Sequence, residues 1–311
     1  MLAISVDGLN PRAISELGPD GTPTFHRLMR EGAWTFNART EFEQTRTLPN
    51  HTGMLTGRRV DAGHGGHGVT FNTDKALTTV HQAAGHYVAS VFDVVHDRGG
   101  STALFANKEK FALFQRTWNR DGAPDRTGVD NGREKIDRFI VDTDNDELIA
   151  ELNDYLRSNP GQFVFVHTAL PDEAGHDHGF MGSRYLSAVR ETDRLLGTVL
   201  DTVSADPTLS RGTLVLVTAD HGGPDSLRRH SNPRRPANFR VPFCAWGAGV
   251  TAGGDLYDLN PGRRNPGDAR TTYDGPQPIR NGDLANLAAD ALGLPAVPGS
   301  QFDADQGLVV G

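Results

Sequence analysis

The strongest constraint on the fold of this chain is the alternation of short apolar runs with segments of helical periodicity. Four runs are almost continuously apolar and predict strands that are buried on both faces. They are Leu2–Val6, Thr102–Ala106, Phe163–Ala169 and Thr213–Thr218. Helical patterns fall at Pro23–Glu31, Pro49–Thr56, Val80–His96, Asp144–Ser158, Ser183–Val203 and Gly282–Ala291. Strands that alternate with helices are typical of βαβ units, so the pattern predicts an α/β fold with a mainly parallel central sheet.

The length of the chain indicates its domain organisation. An α/β fold of 311 residues often forms one domain, and we expect a single domain over residues 1–311. Two stretches interrupt the alternation, residues 108–142 and 252–278, and both are rich in Gly, Pro, Asp, Arg and Asn. We interpret them as long loops or small insertions over the sheet edge, of the kind that form lids or substrate walls.

Charge and cysteine content exclude several classes of function. The formal net charge of −8, with no basic stripe to offset it, argues against binding of a nucleic-acid polymer. A local basic cluster could still attract an anionic substrate, and it comprises Arg228, Arg229, Arg234 and Arg235. The one cysteine, Cys244, rules out an intrachain disulfide framework and a multi-thiolate metal site, and its apolar surroundings (residues 241–246) predict a buried strand.

The sequence leaves compartment and assembly open. No apolar run approaches the ~20 residues that cross a bilayer. The residues after Met1 predict a core strand and not a signal peptide. A cytoplasmic protein and a mature secreted or periplasmic domain without its leader both remain possible, and the oligomeric state is undetermined.

Acidic and histidine side chains follow three of the predicted strands, at the point where each strand ends. They are Asp7 after the first strand, Asp172 and His176 after the third, and Asp220 and His221 after the fourth. Carboxyl ends of parallel strands meet at one edge of a sheet, so we expect these side chains to lie close together. Taken alone, each could be a turn or a helix cap. Together, carboxylates and imidazoles without thiolates predict a site for Zn²⁺, Mn²⁺ or Fe.

Thr47 precedes another predicted helix. Pro49 disfavours a helical backbone at Leu48 and suits the first turn of a helix that begins there. Thr47 would then lie just before a helix N-terminus, where free N–H groups and the helix dipole favour an anion such as phosphate. Coordination to a divalent cation would lower the pKa of its hydroxyl and make it a nucleophile. The alternative is an N-cap threonine with no chemical role.

These motifs, with Thr47-Leu48-Pro49-Asn50-His51 and residues 67–72, resemble the alkaline phosphatase superfamily, and most closely its nucleotide pyrophosphatase/phosphodiesterase (type I phosphodiesterase) branch. The similarity runs in order from residue 1 to about residue 250. It implies a three-layer sandwich with helices on both faces of the sheet, and two divalent metal ions, usually zinc. By this resemblance one ion would take Asp7, Thr47, Asp220 and His221, and the other would take Asp172, His176 and a later histidine.

The resemblance also bears on His230 and Asn72. His230 is the one histidine after His221, whereas the larger relatives have theirs much further downstream. We expect a shortened loop in which His230 takes the ligand role; the alternative is a surface histidine beside arginines. Asn72 matches the family position whose amide donates to a phosphate oxygen, and with a backbone N–H near Thr47 it would stabilise developing charge.

Other side chains near these motifs receive supporting roles. We expect His64 and His67, which lie in a glycine-rich link, to make structural or substrate contacts and not to bind metal. His51 is expected to pack, and Asp177 and His178 to orient the metal ligands.

The predicted function is therefore metal-dependent hydrolysis of a small-molecule phosphoester, of the phosphodiesterase or nucleotide pyrophosphatase type, through a phosphothreonine at Thr47. A phosphomonoesterase or a phosphonoacetate hydrolase-like enzyme of the same superfamily is an alternative, and a non-catalytic ligand-binding relative is another. A sulfatase is disfavoured because Thr47 cannot become formylglycine. An aromatic wall would favour diesters, and its candidates are Phe71, Phe111, Phe114 and Trp118.

Overall fold

Eight strands form one sheet in the computed structural model, which describes residues 1–74, 78–124, 132–158 and 160–311. The strands are β1 (Leu2–Val6), β2 (Ala33–Arg39), β3 (Thr102–Ala106), β4 (Arg138–Val141), β5 (Phe163–Thr168), β6 (Leu214–Thr218), β7 (Arg240–Gly247) and β8 (Gly254–Asp255). Their order across the sheet is β4-β3-β5-β1-β6-β7-β2-β8. β7 is antiparallel to both of its neighbours, and the other strand pairs are parallel. The mainly parallel sheet is thus confirmed.

Helices form two groups that cover the two faces of the sheet. In the first group, α1 (Pro11–Gly21), α2 (Pro23–Glu31), α7 (Asn145–Ser158), α8 (Leu170–His178), α9 (Ser183–Ala205) and α10 (Pro207–Gly212) pack around α9. In the second group, α3 (Thr47–Thr56), α5 (Val91–His96) and α13 (Leu284–Ala291) pack against one another. The shorter helices are α4 (Val80–Ala84), α6 (Ala112–Gln115), α11 (Pro236–Phe239) and α12 (Leu256–Leu259). The three-layer α/β fold is confirmed.

Two of the predicted helices differ from those observed. The segment Val80–His96, predicted as one helix, forms two short helices. The second, α5, starts at its own capping box, in which the side chains of Ser90 and Asp93 each accept a hydrogen bond from the backbone N–H of the other. α3 begins at Thr47, two residues earlier than predicted, with Arg46 as its N-cap. Pro49 is tolerated there because the N–H groups of the first helical turn have no partner within the helix.

The two segments that interrupt the alternation supply the edges of the sheet. Residues 108–142 contain β4, and residues 252–278 contain β8. Residues 125–131 of the first segment lie outside the described residues. Both edge strands are short, a property that limits pairing with strands of other chains. The organisation of residues 1–311 as one catalytic domain stays a prediction.

The fold brings four strand ends to one place. β3, β5, β1 and β6 are adjacent and parallel in the middle of the sheet, with Ala106 beside His167, Val6 beside Thr168, and Ser5 beside Thr218. The segments that leave these strands therefore start at the same edge, as expected for a site in an open parallel sheet. Cys244 lies in β7, where burial raises the pKa of its thiol to about 12 and leaves it unreactive. Within the described ranges, no helix has the length and apolar character that a bilayer crossing requires.

The one-residue connection between α2 and β2 gives a test of the packing. A Cβ at Gly32 would collide with the backbone carbonyl oxygen of Ala245 in β7, which cannot move without distorting the strand. We predict that Gly32→Ala lowers the free energy of unfolding by about 1–3 kcal/mol in urea titrations. Gly212→Ala is the control, because nothing lies within 4 Å of the added methyl. Equal stability of the two variants would contradict the close approach of Gly32 to β7.

Candidate active site

Three buried carboxylates lie together at the sheet edge. In each of them one oxygen accepts hydrogen bonds and the other has no partner among the described residues. Asp220 Oδ1 accepts hydrogen bonds from the backbone N–H groups of Gly8 (3.1 Å) and His221 (2.9 Å). Asp7 Oδ2 accepts from His167 (2.9 Å) and Lys108 (2.6 Å), and Asp172 Oδ2 also accepts from Lys108 (2.6 Å). The second oxygens, Asp7 Oδ1, Asp172 Oδ1 and Asp220 Oδ2, have no hydrogen-bond partner among the described residues.

Glycine at position 8 allows two of these carboxylates to approach. Gly8 follows Asp7 with φ of +72°, a left-handed conformation that glycine adopts without strain. A Cβ there would lie 2.8 Å from the Cα of Asp172. Tyr185 holds the same turn, because its hydroxyl donates to the carbonyl of Gly8 and accepts from the N–H of Asn10. The spacing of Asp7 and Asp172 thus depends on the absence of a side chain at residue 8.

Three histidines share one hydrogen-bonding pattern. Nδ1 of His176 donates to the carbonyl of Arg228, Nδ1 of His221 to that of Gly222, and Nδ1 of His230 to that of Thr45. A ring that donates from Nδ1 in its neutral form has a lone pair on Nε2. Metal-binding histidines commonly make such a bond from the nitrogen that does not bind the ion.

The three Nε2 atoms face the carboxylate oxygens that have no hydrogen-bond partner among the described residues. His221 Nε2 lies 3.3 Å from Asp7 Oδ1 and 3.3 Å from Asp220 Oδ2. His176 Nε2 and His230 Nε2 lie 3.4 and 3.5 Å from Asp172 Oδ1, and 3.1 Å from each other. Two neutral imidazoles cannot hydrogen-bond through two lone pairs, so this contact needs either a proton on one ring or a cation that both nitrogens bind.

The pKa shifts reflect the crowding of charge. Burial alone would lower the pKa of His221, but the facing carboxylates, Asp220 first, raise it to about 9. Burial and the nearby His221 lower the pKa of His230 to about 3. Burial, and then repulsion from Asp7, raise the pKa of Asp220 well above its usual value. In a metal complex, His221 would be neutral and the cation would take the place of its proton.

This donor set fits divalent cations. Ligand atoms gather in two groups, Asp7 with Asp220 and His221, and Asp172 with His221 and His230. His176 adjoins the second group through the contacts given above. The side chain of His176 is exposed to solvent, whereas those of His221 and His230 are buried. All six predicted Asp and His ligands are therefore brought together, and metal binding itself stays a prediction.

Thr47 is linked to this cluster through His51, whose Nδ1 lies 3.7 Å from Asp220 Oδ2, and Asn72 contacts the backbone next to Thr47. Asn72 Oδ1 accepts a hydrogen bond from the N–H of Leu48 at 2.9 Å, so the amide NH₂ of Asn72 is left as the donor on this side. His51 Nδ1 donates to the carbonyl of Thr47 at 2.8 Å, and its Nε2 accepts from Ser5 Oγ at 2.8 Å. His51 is thus a buried positioning residue that connects the start of α3 to β1.

Two residues of the cluster were missed from the sequence. Lys108 follows β3 and bridges Asp7 and Asp172, which belong to the two different predicted metal sites. His167, within the apolar run of β5, donates to Asp7 Oδ2. The strand-end argument applied to β3 would have found Lys108. His167 could have been noticed as the one ring nitrogen donor in an otherwise apolar strand.

Several supporting roles predicted from the sequence are wrong. The side chains of Asp177 and His178 are exposed on α8 and make no hydrogen bond with a described residue, so they do not orient the ligands. Phe111, Phe114 and Trp118 are fully buried and stack in the core, so they cannot wall a substrate pocket. Phe71 is partly buried against the core.

The two histidines of the glycine-rich link are not among the grouped ligand atoms. His67 is buried, accepts a hydrogen bond from the N–H of Val69, and has a pKa lowered to about 3 by burial. His64 is exposed and donates to Asp61. Both contacts are structural.

A cavity of about 540 Å³ opens beside the cluster. Its walls are polar and positively charged, and they comprise Arg46, Asn72, His176, Arg228, Arg229, His230 and Ser231. The loop that carries the last four is held at His230, whose carbonyl accepts from Thr45 Oγ1 at 2.6 Å while its ring donates to the carbonyl of Thr45. The segment before the nucleophile candidate and the basic loop are therefore joined.

Comparisons with known proteins identify a family and relatives of this chain. Residues 1–233 match the family described as type I phosphodiesterase / nucleotide pyrophosphatase. GPI ethanolamine phosphate transferase 1 of Yarrowia lipolytica is 26% identical over 65% of this chain and 23% of its own length. Ectonucleotide pyrophosphatase/phosphodiesterase family member 1 of Mus musculus is 24% identical over 71% of this chain and 24% of its own length. The chain thus spans about a quarter of the length of these curated relatives.

A solved structure has the same fold. It is murine ectonucleotide pyrophosphatase/phosphodiesterase 5, in an inactive variant in complex with AMP. The two structures superpose with a TM-score of 0.66 at 14% sequence identity, over 99% of each chain.

Lys108 provides a test of the charge balance in the cluster. In the metal-free protein its ammonium neutralises two buried carboxylates, so Lys108→Met should lower the free energy of unfolding by about 2–3 kcal/mol in the presence of a chelator. Saturating Zn²⁺ should restore most of that loss, because a cation then neutralises the same carboxylates. Thermal melts with EDTA and with Zn²⁺ measure both.

Arg184→Met is the control, since Arg184 is exposed on α9 and makes no ion pair with a described residue. It should melt within about 0.5 kcal/mol of the unmodified protein under both conditions. An equal loss for Lys108→Met with and without Zn²⁺ would show that its stabilising role is independent of the cation-binding groups.

Proposed function

The chain belongs to the type I phosphodiesterase/nucleotide pyrophosphatase family, and we propose that it is a metal-dependent phosphoric ester hydrolase that uses Thr47 as its nucleophile. The proposed reaction is hydrolysis of a small-molecule phosphodiester or nucleotide pyrophosphate bond, with a covalent phosphothreonine as intermediate.

One observation carries this proposal. Three carboxylate oxygens and one imidazole nitrogen are buried without hydrogen-bond partners among the described residues, and they face one another at the sheet edge. Such groups are costly to bury unless a cation neutralises them. His51 of α3 lies 3.7 Å from one of them, Asp220 Oδ2, and the first turn of the same helix offers a hydroxyl and a helix N-terminus to a phosphate.

The residues divide into two proposed sites for divalent cations. Asp7, Asp220, His221 and the Thr47 hydroxyl would hold one ion, and Asp172, His176 and His230 would hold the other. Carboxylate and imidazole ligands favour Zn²⁺, with Mn²⁺ or Fe as alternatives. When bound, such ions would lower the pKa of the Thr47 hydroxyl and neutralise charge on the phosphoryl oxygens.

The protein's own groups then position the reaction. Thr47 is 1% exposed, and the bond from His51 fixes its carbonyl and hence the first turn of α3. The Thr47 oxygen would attack phosphorus, displace the leaving group and carry the phosphoryl group until water releases it. The amide NH₂ of Asn72 would donate to a phosphoryl oxygen during both displacements.

The relatives add support of a general kind. The inactive variant of murine ectonucleotide pyrophosphatase/phosphodiesterase 5 carries a threonine-to-alanine substitution and is in complex with AMP. A threonine nucleophile and a nucleotide substrate in this chain would agree with both features.

Two alternatives remain of interest. A phosphomonoesterase or phosphonoacetate hydrolase-like activity is favoured by the basic lining of the cavity, which could grip a terminal anion. A non-catalytic ligand-binding relative is disfavoured, because all eight proposed site residues are present and the six Asp and His side chains converge.

Substitution of Thr47 tests the mechanism. Thr47→Ala in the Zn²⁺-loaded protein should lower kcat/KM for bis(p-nitrophenyl) phosphate by at least about 10³-fold, because the nucleophile is lost. Thr47→Ser keeps a hydroxyl and should retain measurable turnover with a phosphoserine after acid quenching. Thr56→Ala is the matched control, since Thr56 lies in the same helix and donates only to the carbonyl of Thr52.

The outcomes separate the hypotheses. Unchanged activity of Thr47→Ala would reject the threonine mechanism. No turnover of bis(p-nitrophenyl) phosphate or p-nitrophenyl phosphate by the metal-loaded protein would reject the hydrolase and favour the non-catalytic relative.

Metal content tests the division of ligands. We predict two divalent ions per chain by elemental analysis after dialysis, and one per chain in His230→Gln, because only the second site loses a ligand. Exposed His64→Gln is the control and should keep both ions. Two ions retained in His230→Gln would contradict the role of His230 as a ligand.

A further inference from the structure

Two buried asparagine side chains connect the segment before Thr47 with the segment before Asp220. They are Asn50 in α3 and Asn281 in the one-turn 3₁₀ helix Asn281–Asp283, which precedes α13. Both side chains are fully buried, so water does not compete for their hydrogen bonds. Each bond therefore fixes the position of the group that it reaches.

Asn50 holds the β2–α3 connection, which comprises residues 40–46. Its Oδ1 accepts a hydrogen bond from the N–H of Glu41 at 2.9 Å, and its Nδ2 donates to the carbonyls of Gln44 at 2.9 Å and Arg46 at 3.0 Å. A side-chain amide can both donate and accept in this way, and it adds no charge near the buried carboxylates. One side chain thus satisfies three backbone groups of the connection that leads to Thr47.

The β2–α3 connection is also packed closely against its neighbours. A Cβ at Gly53, one turn of α3 after Asn50, would collide with Oε1 of Glu41. At the other end of the connection, Arg280 donates from its guanidinium to the carbonyl of Thr40 at 2.9 Å. The connection therefore has little room to shift relative to α3.

Asn281 extends this arrangement to the end of β6. Its Nδ2 donates to Asn50 Oδ1 at 3.3 Å and to the carbonyl of Ala219 at 3.1 Å. Ala219 directly precedes Asp220 in the chain. The two amides therefore form a hydrogen-bonded path between α3, which starts at Thr47, and the segment that carries Asp220.

From this path we propose that Asn50 and Asn281 are positioning residues, which set the separation of Thr47 and Asp220 and hence the geometry of the first cation site. The inference rests on the proposed function, in which both residues bind the same ion. Asn281 contacts only the Asp220 side of the site and Asn50, so its effect is confined to the first ion. Asn50 also holds the segment that contains Thr45, the partner of His230, so it affects both ions.

Zn²⁺ affinity in variants that keep one ion tests the proposal without a catalytic assay. Asn281→Leu keeps the approximate volume and removes both donors. In His230→Gln, which should retain the first ion, Asn281→Leu should weaken Zn²⁺ binding by about tenfold in competition with a chromophoric chelator, because partners outside the ligand set tune metal affinity. In Asp220→Ala, which should retain the second ion, it should leave Zn²⁺ affinity unchanged. Asn50→Ser should weaken Zn²⁺ in both backgrounds.

Steady-state kinetics give a second measurement in the protein with both ions. At saturating Zn²⁺, Asn281→Leu should lower kcat for bis(p-nitrophenyl) phosphate by at least about tenfold, because a displaced nucleophile is poorly aligned. KM should stay nearly unchanged, since the groups proposed to contact the substrate are all retained.

Asn286→Leu is the matched control. Asn286 is also a fully buried amide, and it donates to Ser300 Oγ and the carbonyl of Phe302 and accepts from the N–H of Val297. None of these partners belongs to the proposed site. Asn286→Leu should lower the melting temperature at least as much as Asn281→Leu, but it should retain Zn²⁺ affinity and kcat.

The outcomes separate positioning from general stability. A lower melting temperature of Asn281→Leu with unchanged first-ion affinity and kcat would overturn the proposal, as would an equal loss of affinity in both one-ion backgrounds. Asn281→Ser, with a hydroxyl too short to bridge both partners, repeats the comparison if Asn281→Leu does not fold. The proposed function is judged on the unmodified protein: absence of turnover would reject the hydrolase, while the first-ion affinity of Asn281→Leu would still decide the positioning role.

Discussion

Burial of three carboxylates at the ends of neighbouring strands is the constraint on which the rest of the site depends. An isolated buried carboxylate costs several kcal/mol, and Asp7, Asp172 and Asp220 are each less than 4% exposed. Backbone N–H groups, His167 and Lys108 satisfy one oxygen of each. The other oxygens face imidazole nitrogens, so folding the chain creates a site with a deficit of positive charge.

The sequence predicted the positions that depend on strand ends. Asp7, Asp172, Asp220 and His221 could be located because near-continuous apolar runs identify buried parallel strands and the residue after each run lies at the common edge. α8 was not predicted, although Pro171 and the acidic Asp172 lie in its first turn, which is a usual start for a helix. Within α8, Asp172 and His176 are four residues apart and lie on one face.

Residues whose role depends on tertiary contacts could not be predicted from the sequence. Lys108 belongs to a type that is usually solvated, and only the approach of β1 and β5 to β3 gives it two carboxylate partners. The spacing from His221 to His230 could not show how the intervening loop folds. In the structure the loop returns to Thr45, which brings His230 Nε2 to 3.1 Å from His176 Nε2. The aromatic wall failed for a related reason, because residues 111–118 turn inward and pack in the core.

The paired hydrogen bonds between Thr45 and His230 have a consequence for how the protein opens. Each residue donates to the carbonyl of the other, and both bonds are buried. Local unfolding tends to occur in contiguous cooperative units. The segment that contains Thr45 and the basic loop that contains His230 should therefore open together, although 185 positions separate the two residues in the chain. Any fluctuation that exposes the nucleophile candidate would then also displace a ligand of the second proposed ion, so that a half-assembled reaction centre is rarely populated.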